Sequence, residues 1–190
     1  MEVKIEHECG YDFALRGMAY SYKDRGEDLG EWWTTEKFEK AEKRAKILAH
    51  KGGGHNKFLE SIQVWIDVEA PRSFWQEFDT YRIGITKQSE STMHTLKKRA
   101  PVQSDFEKDM PIQMLIAFRS VYDQFKEGHF TLEQLKESLP EGFLQRRITC
   151  LNYRNIQHIY MQRHDHRYLR WREFNHLMLD QLEHPEFIKE

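Results

Sequence analysis

Residues 61–71 read SIQVWIDVEAP and hold the plainest pattern in the chain. Ile62, Val64, Ile66 and Val68 alternate with Gln63, Trp65, Asp67 and Glu69. Alternation with a period of two places successive side chains on opposite faces of an extended backbone, so it predicts a strand with one apolar face. Pro71 then suits the first turn of a helix, where its missing amide is no loss and its φ is already helical. That helix carries Phe74, Trp75 and Phe78 and is predicted to run to about Gly84.

Working outward, residues 11–22 (YDFALRGMAYSY) predict a helix with Phe13, Ala14, Met18 and Tyr22 on its apolar face. GEDLGEWW (26–33) reads as a loop with exposed or interface tryptophans. Thr34 or Thr35 caps a helix that sets Phe38, Ala41, Ala45, Leu48 and Ala49 at helical spacing. Gly52, Gly53 and Gly54 end it as a C-cap and turn; they follow a helix and lack the Gly-x-x-x-x-Gly-Lys pattern of a phosphate loop. Beyond Gly84 a polar loop is expected as far as Pro101. PIQMLIAFRSVYDQF (111–125) predicts a strongly apolar helix that stops at Gly128. Thr131 and Gln134 form a capping box for a short helix ending before Pro140. ITCL (148–151) is a short strand, Asn152 caps a helix over NYRNIQHIYMQR, and a last amphipathic helix carries Tyr168, Trp171, Phe174, Leu177, Met178 and Leu182. The expectation is one α+β domain over 1–190, mostly helices with a small sheet.

Composition sets bounds on what such a domain does. The 190 residues carry a formal charge of -2, with 39% hydrophobic and 13% aromatic residues, so aromatic side chains must supply much of the core. The low net charge argues against both disorder and broad nucleic-acid binding. No apolar run reaches the roughly 18 residues of a membrane span, and the N-terminal residues show no signal-peptide pattern, so a cytoplasmic protein is expected. Cys9 and Cys150 match no zinc spacing and read as two buried free thiols.

Charge is unevenly placed. Residues 146–172 hold seven arginines (146, 147, 154, 163, 167, 170 and 172) against one acid, Asp165, and no lysine lies between Lys136 and Lys189. Arginine in preference to lysine favours forked hydrogen bonding to planar anions. Asn152 and Arg154 stand at a helix start, where free amides and the dipole favour anions, and Arg163 ends the same helix. That arrangement suits a phosphate and a nucleobase or flavin carbonyl. The alternative is a capped helix whose arginines pair with Asp67, Glu69 or Glu77. The C-terminal histidines (158, 164, 166, 176 and 184) form no metal-ligand motif, and neither cysteine has a nucleophile's flanking pattern.

The order of these elements resembles that of the flavin-dependent thymidylate synthases over nearly the full length. GHNKFLES, the alternating strand and EAP are similar to that family's Gly-His-x-x-x-Phe-Glu-His, strand, x-Ala-Pro segment; His55 and Glu60 are kept, and Ser61 stands where a flavin-facing histidine is usual. LNYRNIQHIYMQR is similar to Val-Asn-Ala-Arg-Ser-Leu-x-x-Phe-Leu-x-Leu-Arg. The resemblance implies a small central antiparallel sheet packed with helices. It implies FAD held by His55, Ser61, Arg82, Asn152, Arg154 and His158. It also implies a pyrimidine nucleotide held by Glu77, Ser91, Lys136 and Arg163, with Arg163 stabilising charge on the ring. NADPH, methylenetetrahydrofolate and a homotetramer follow from the same likeness. The chain departs from the family at its Arg-His-Arg signature, which reads Thr80, Tyr81, Arg82. The following loop has no arginine before Lys97. Lys87 or Lys97 would have to replace it, and HDHRYLRW carries one extra residue.

Three functions are therefore open. The first is an FAD-dependent enzyme passing a one-carbon unit to a uracil-type nucleotide. The second is a related enzyme acting on another pyrimidine, as a modified nucleotide or a base in nucleic acid, for which the arginines beside Tyr153, Tyr160, Tyr168 and Trp171 suit stacking and phosphates. The third is a non-catalytic binding protein on the same scaffold.

Overall fold

The structure is a computed structural model that describes residues 1–189; Glu190, the end of the expected domain, lies outside the described residues. Four strands, β1 (Glu2–Cys9), β2 (Gln63–Pro71), β3 (Thr86–Ser89) and β4 (Leu144–Asn152), form one sheet in the order β1-β2-β4-β3. The helices are α1 (Tyr11–Ala19), α2 (Leu29–Trp32), α3 (Thr35–Leu48), α4 (Arg72–Phe78), α5 (Thr92–Lys98), α6 (Ile112–Lys126), α7 (Leu132–Glu137), α8 (Tyr153–Arg163) and α9 (Leu169–Leu179). The chain divides into two compact units: one of residues 1–3, 67–82 and 87–148, the other of 4–66, 83–86 and 149–189.

The second unit holds the amino-terminal parts of the chain and the last helices. Its strand segments pair antiparallel, with the Tyr153 amide donating to the Ile62 carbonyl at 3.0 Å. Ile62, Val64 and Ile66 are fully buried, as their alternation predicts, and Leu15, Ala45, Leu59, Ile156, Trp171, Phe174 and Phe187 complete the core. The first helix buries Ala14, Leu15 and Ala19, whereas Phe13 and Tyr22 face outward, which corrects the expected apolar face. Trp32 is buried in the helix α2, where a loop was expected, and Asp28 caps that helix through its carboxylate. The strand β1 was not anticipated, although Val3, Ile5 and Cys9 alternate with polar residues. Its end is tied down by Glu8, which accepts from the Tyr153 hydroxyl and from the Glu183 amide. Gly10 turns the chain into α1 at φ 95°; a β-carbon there would collide with the Ser61 carbonyl oxygen. Cys9 and Cys150 are half-buried free thiols, not fully buried ones. Burial and the neighbouring Cys9 push the Cys150 thiol up against the opposing bond from Thr86, which leaves it a poor nucleophile.

The first unit packs Leu96, Phe106, Leu115, Phe118, Tyr122, Leu135, Leu139 and Phe143 into one cluster. The capping box of Thr131 and Gln134 starts α7 as expected. Pro71 is the N-cap of α4 and not its first residue, and the helix stops at Phe78, well short of Gly84. Lys87 explains the stop. Its ammonium donates to the Phe78 carbonyl (3.3 Å) and the Tyr81 carbonyl (3.0 Å), carbonyls that a longer helix would have used internally. The expected polar loop up to Pro101 instead contains β3 and α5, with Thr92 and Leu96 buried.

Candidate functional site

Helix α8 organises the site. Asn152 caps it: the side-chain oxygen accepts from the Asn155 amide at 2.9 Å, and the Asn155 side chain answers at the Asn152 amide at 3.2 Å. Asn155 also donates to the Ile83 carbonyl at 2.9 Å, which fastens the Ile83–Gly84 turn to the helix start. The Asn152 side chain thus has its amino group left to offer a ligand.

Arg154, the second residue of the helix, donates to the Gln157 side-chain oxygen at 2.8 Å. Gln157 is 3% exposed and its amide is fully used. The oxygen also faces the Asn56 amide at 3.4 Å, and the nitrogen donates to the Ala49 and Phe187 carbonyls, each at 2.9 Å. Arg154 and His158 line a cavity of about 520 Å³ with Gly52, Asn56, Tyr160 and Met161. Its walls combine a guanidinium without an acidic partner, an imidazole and apolar surface. Such a donor set fits a flat, largely apolar group with carbonyl and phosphate oxygens.

Arg163 closes the helix. Its guanidinium lies 4.9 Å over the buried Trp171 ring and meets His166 Nε2 at 2.7 Å. A neutral imidazole has one lone pair, so His166 accepts from Arg163 and the Tyr168 amide near Nδ1, at 3.3 Å, is the weaker contact. His55 and Ser61 are both exposed and line another cavity of the same unit, of about 570 Å³.

In the other unit, Arg82 is exposed just beyond α4, and Glu77 is half-buried on it. Ser91 precedes α5 and does not cap it through its side chain. Lys136 lines a cavity of about 420 Å³ with Arg72, Trp75, Gln76 and Arg147; Arg82, Glu77 and Ser91 do not. Lys87 is not a free replacement for the missing loop arginine. Besides the two carbonyls, it pairs with Asp79 at 3.1 Å, and Arg147 reaches the same carboxylate at 3.0 Å while lying 4.4 Å over Trp75. Desolvation pulls the Asp79 carboxyl up, but Lys87 and Arg147 outweigh it and hold it below the ordinary range.

The arginine-rich segment divides between its two readings. Arg146 lies within 3.8 Å of Asp67 and 3.7 Å of Glu69, Arg147 pairs with Asp79, and Arg170 with Glu173 at 2.7 Å. Arg154 meets Gln157, and Arg163 meets His166. Sequence reading missed Gln157, Asn56, His166 and the true role of Lys87. Gln157 left one trace: a polar side chain four residues after Tyr153, between Ile156 and Ile159 on the inner helical face.

A family model described as thymidylate synthase complementing protein matches residues 13–185. The chain belongs to that family. Among solved structures, it is similar to the flavin-dependent thymidylate synthase ThyX from Helicobacter pylori complexed with FAD and dUMP. The TM-score is 0.81 at 17% identity, covering 100% of this chain and 98% of that one. A second structure of ThyX from Helicobacter pylori with FAD and dUMP gives a TM-score of 0.79, also at 17% identity and with the same coverage. No curated protein matches the sequence. At that identity the likeness establishes the fold, and the α+β architecture expected from the resemblance is the one found. As a thymidylate synthase complementing protein, the chain keeps Asn152, Arg154 and Arg163 on one helix, while Thr80 and Tyr81 stand where its resemblance expects arginine and histidine.

Proposed function

We propose that the chain is an FAD-dependent thymidylate synthase-like enzyme of pyrimidine nucleotide metabolism, which transfers a one-carbon unit to a uracil-type nucleotide. The observation that carries this reading is α8, which presents Arg154 and Arg163 behind its Asn152 cap, with Arg154 bonded to Gln157 and Arg163 to His166. The family match spans 13–185, and the resemblance assigns those positions to flavin and pyrimidine. Because its oxygen is spent on the cap, Asn152 donates its amino group to a flavin carbonyl. Arg154 retains further donors after its bond to Gln157 and meets the cofactor's oxygens beside His158, with His55, Ser61 and Arg82 as the other cofactor contacts. Arg163, steadied by Trp171 and His166, stabilises negative charge developing on the pyrimidine. Lys136 takes the nucleotide's phosphate, with Glu77 and Ser91 as further contacts. Bound FAD supplies the hydride transfer that no side chain performs.

Methylenetetrahydrofolate is the one-carbon donor and NADPH the reductant in this reading. The protein acts as a cytoplasmic homotetramer; Ile112 and Ile116, exposed one turn apart on α6, support association through that helix. The family match runs through both compact units, which supports their working as one domain. The test is the visible spectrum of purified protein, an FAD titration, and conversion of dUMP with methylenetetrahydrofolate and NADPH. Flavin absorbance and turnover are expected, with turnover abolished and flavin retained in Arg163→Ala. A colourless protein that fails to bind FAD in titration would sink the reading.

A further inference from the structure

His166 stands in the turn between α8 and α9 with a donor facing each of its ring nitrogens. Arg163 reaches Nε2 at 2.7 Å, and the Tyr168 backbone amide approaches Nδ1 at 3.3 Å. The backbone beneath the ring is fixed on both sides. The His166 amide donates to the Arg163 carbonyl at 3.2 Å, and the His166 carbonyl accepts from Arg172 Nε at 3.0 Å. Arg172 also reaches the Asp165 carbonyl, at 3.3 Å.

Neither a guanidinium nor an amide N–H can accept a hydrogen bond, so the ring must accept from both or lose one. A neutral imidazole has a single lone pair. With its proton on Nδ1 it accepts from Arg163 and turns an N–H toward the Tyr168 amide; with its proton on Nε2 it does the reverse. The imidazolium accepts from neither and sets a second positive charge against the guanidinium. The 2.7 Å contact therefore belongs to one form alone, the neutral ring protonated on Nδ1. A structural histidine commonly turns its N–H to a carbonyl or carboxylate, whereas this one meets donors on both sides.

The surrounding charges do not relieve the conflict. From α8 the facing group is Arg163 itself, and from α9 it is Arg172, which goes to the carbonyl oxygens and not to the ring. Within the turn, the Asp165 carboxylate lies 3.9 Å from the His164 ring, and both it and Arg167 are exposed. Among the described residues no carboxylate bonds the His166 ring.

We propose that His166 is a positioning residue for Arg163: the neutral ring, protonated on Nδ1, holds the guanidinium over Trp171, and uptake of a second proton breaks that hold. The hold stands on the geometry of the turn. Its effect on turnover rests on the reading of Arg163 as the group that stabilises charge on the pyrimidine.

Long-range proton–nitrogen NMR of the ring in the ligand-free protein and turnover against pH test it together, with circular dichroism and unfolding midpoints to show that the variants fold. At about pH 8.5 the wild-type ring should carry its proton on Nδ1, and in Arg163→Ala the proton should move to Nε2, leaving Nδ1 to accept from Tyr168. Wild-type kcat should fall between about pH 8.5 and about pH 5.5, with the KM for dUMP moving less, because the holding form is the neutral one. His166→Phe should lower kcat roughly 10- to 100-fold at the upper pH, as expected for a catalytic group displaced by about an ångström, and should flatten the acid limb. His166→Gln places an acceptor oxygen near the Nε2 position that does not titrate, so it should recover most of that kcat and keep the limb flat. A wild-type ring protonated on Nε2, a wild-type acid limb in His166→Gln, or an undiminished kcat in His166→Phe overturns the proposal. A ring protonated on Nδ1 only while Arg163 is present, in a protein that does not turn over dUMP, upholds the hold and overturns the enzyme reading alone.

Discussion

Four hydrogen bonds converge on the Gln157 side chain, three of them buried. Gln157→Leu is nearly the same size yet strands the Phe187 carbonyl, leaves the Ala49 carbonyl and the Asn56 amide with only each other, and releases Arg154. A loss of about 2–4 kcal/mol in urea unfolding is expected, together with weaker FAD binding. Gly10→Ala acts through the backbone: with φ at 95° and the Ser61 carbonyl in the way, it should cost about 1–3 kcal/mol and shift Ser61, read as a lower melting temperature and weaker FAD binding. Neither residue could have been singled out from its type. A polar residue on a mostly apolar helical face, and a glycine between two short elements, are common in any sequence; only their partners, 108 residues away for Ala49 and on the Ser61 carbonyl for Gly10, make them decisive. Asn152 is the opposite case. Capping is a local interaction, so its place before a helix was readable in the sequence.

At the scale of elements, the end of α4 depends on two cations. Lys87→Met should fray the helix and cost about 1–3 kcal/mol, while Lys87→Arg retains part of the bonding, as measured by unfolding midpoints. The pH dependence follows from Asp79. Its folded pKa lies below the unfolded value, near 3.9, so the carboxylate's contribution is present above about pH 4 and is lost as pH falls through the folded value. Stability measured from about pH 5 downward should therefore fall more steeply in wild type than in Lys87→Met, with the difference shrinking in high salt because Asp79 is partly exposed. Legibility at this scale tracked burial. The strand β2 was readable because one face is fully buried, whereas β3 has four residues, none buried, and α5 buries only Thr92 and Leu96, so neither left a periodic signal. Trp32 was misjudged because its short helix is set by Asp28 and by packing, with too few residues to show a period.

For the whole molecule, each ligand's expected contacts draw on both units. Asn152, Arg154, His158, His55 and Ser61 of the cofactor set belong to one unit together with Arg163 of the nucleotide set, and Glu77, Ser91 and Lys136 to the other together with Arg82 of the cofactor set. Hydrogen exchange should accordingly slow chiefly within residues 4–66 and 149–189 on adding FAD, and within both 67–148 and α8 on adding dUMP. FAD at 100 times its Kd should raise stability by about 2.7 kcal/mol. Protection by FAD confined to 87–148 would contradict the assignment. The fold class was readable because the elements and their order persist where signature residues have changed; the division into units was not, since it depends on contacts distant in sequence. The same division has a consequence for synthesis. One unit needs nothing after residue 148, whereas the other opens at residue 4 and waits for 149–187 to supply α8, α9 and the Phe187 carbonyl. On the ribosome, the unit whose first long segment emerges earlier is completed later. Its exposed aromatic and strand surface must wait out the making of the other unit, which marks residues 4–66 as the stretch of the nascent chain most in need of a chaperone.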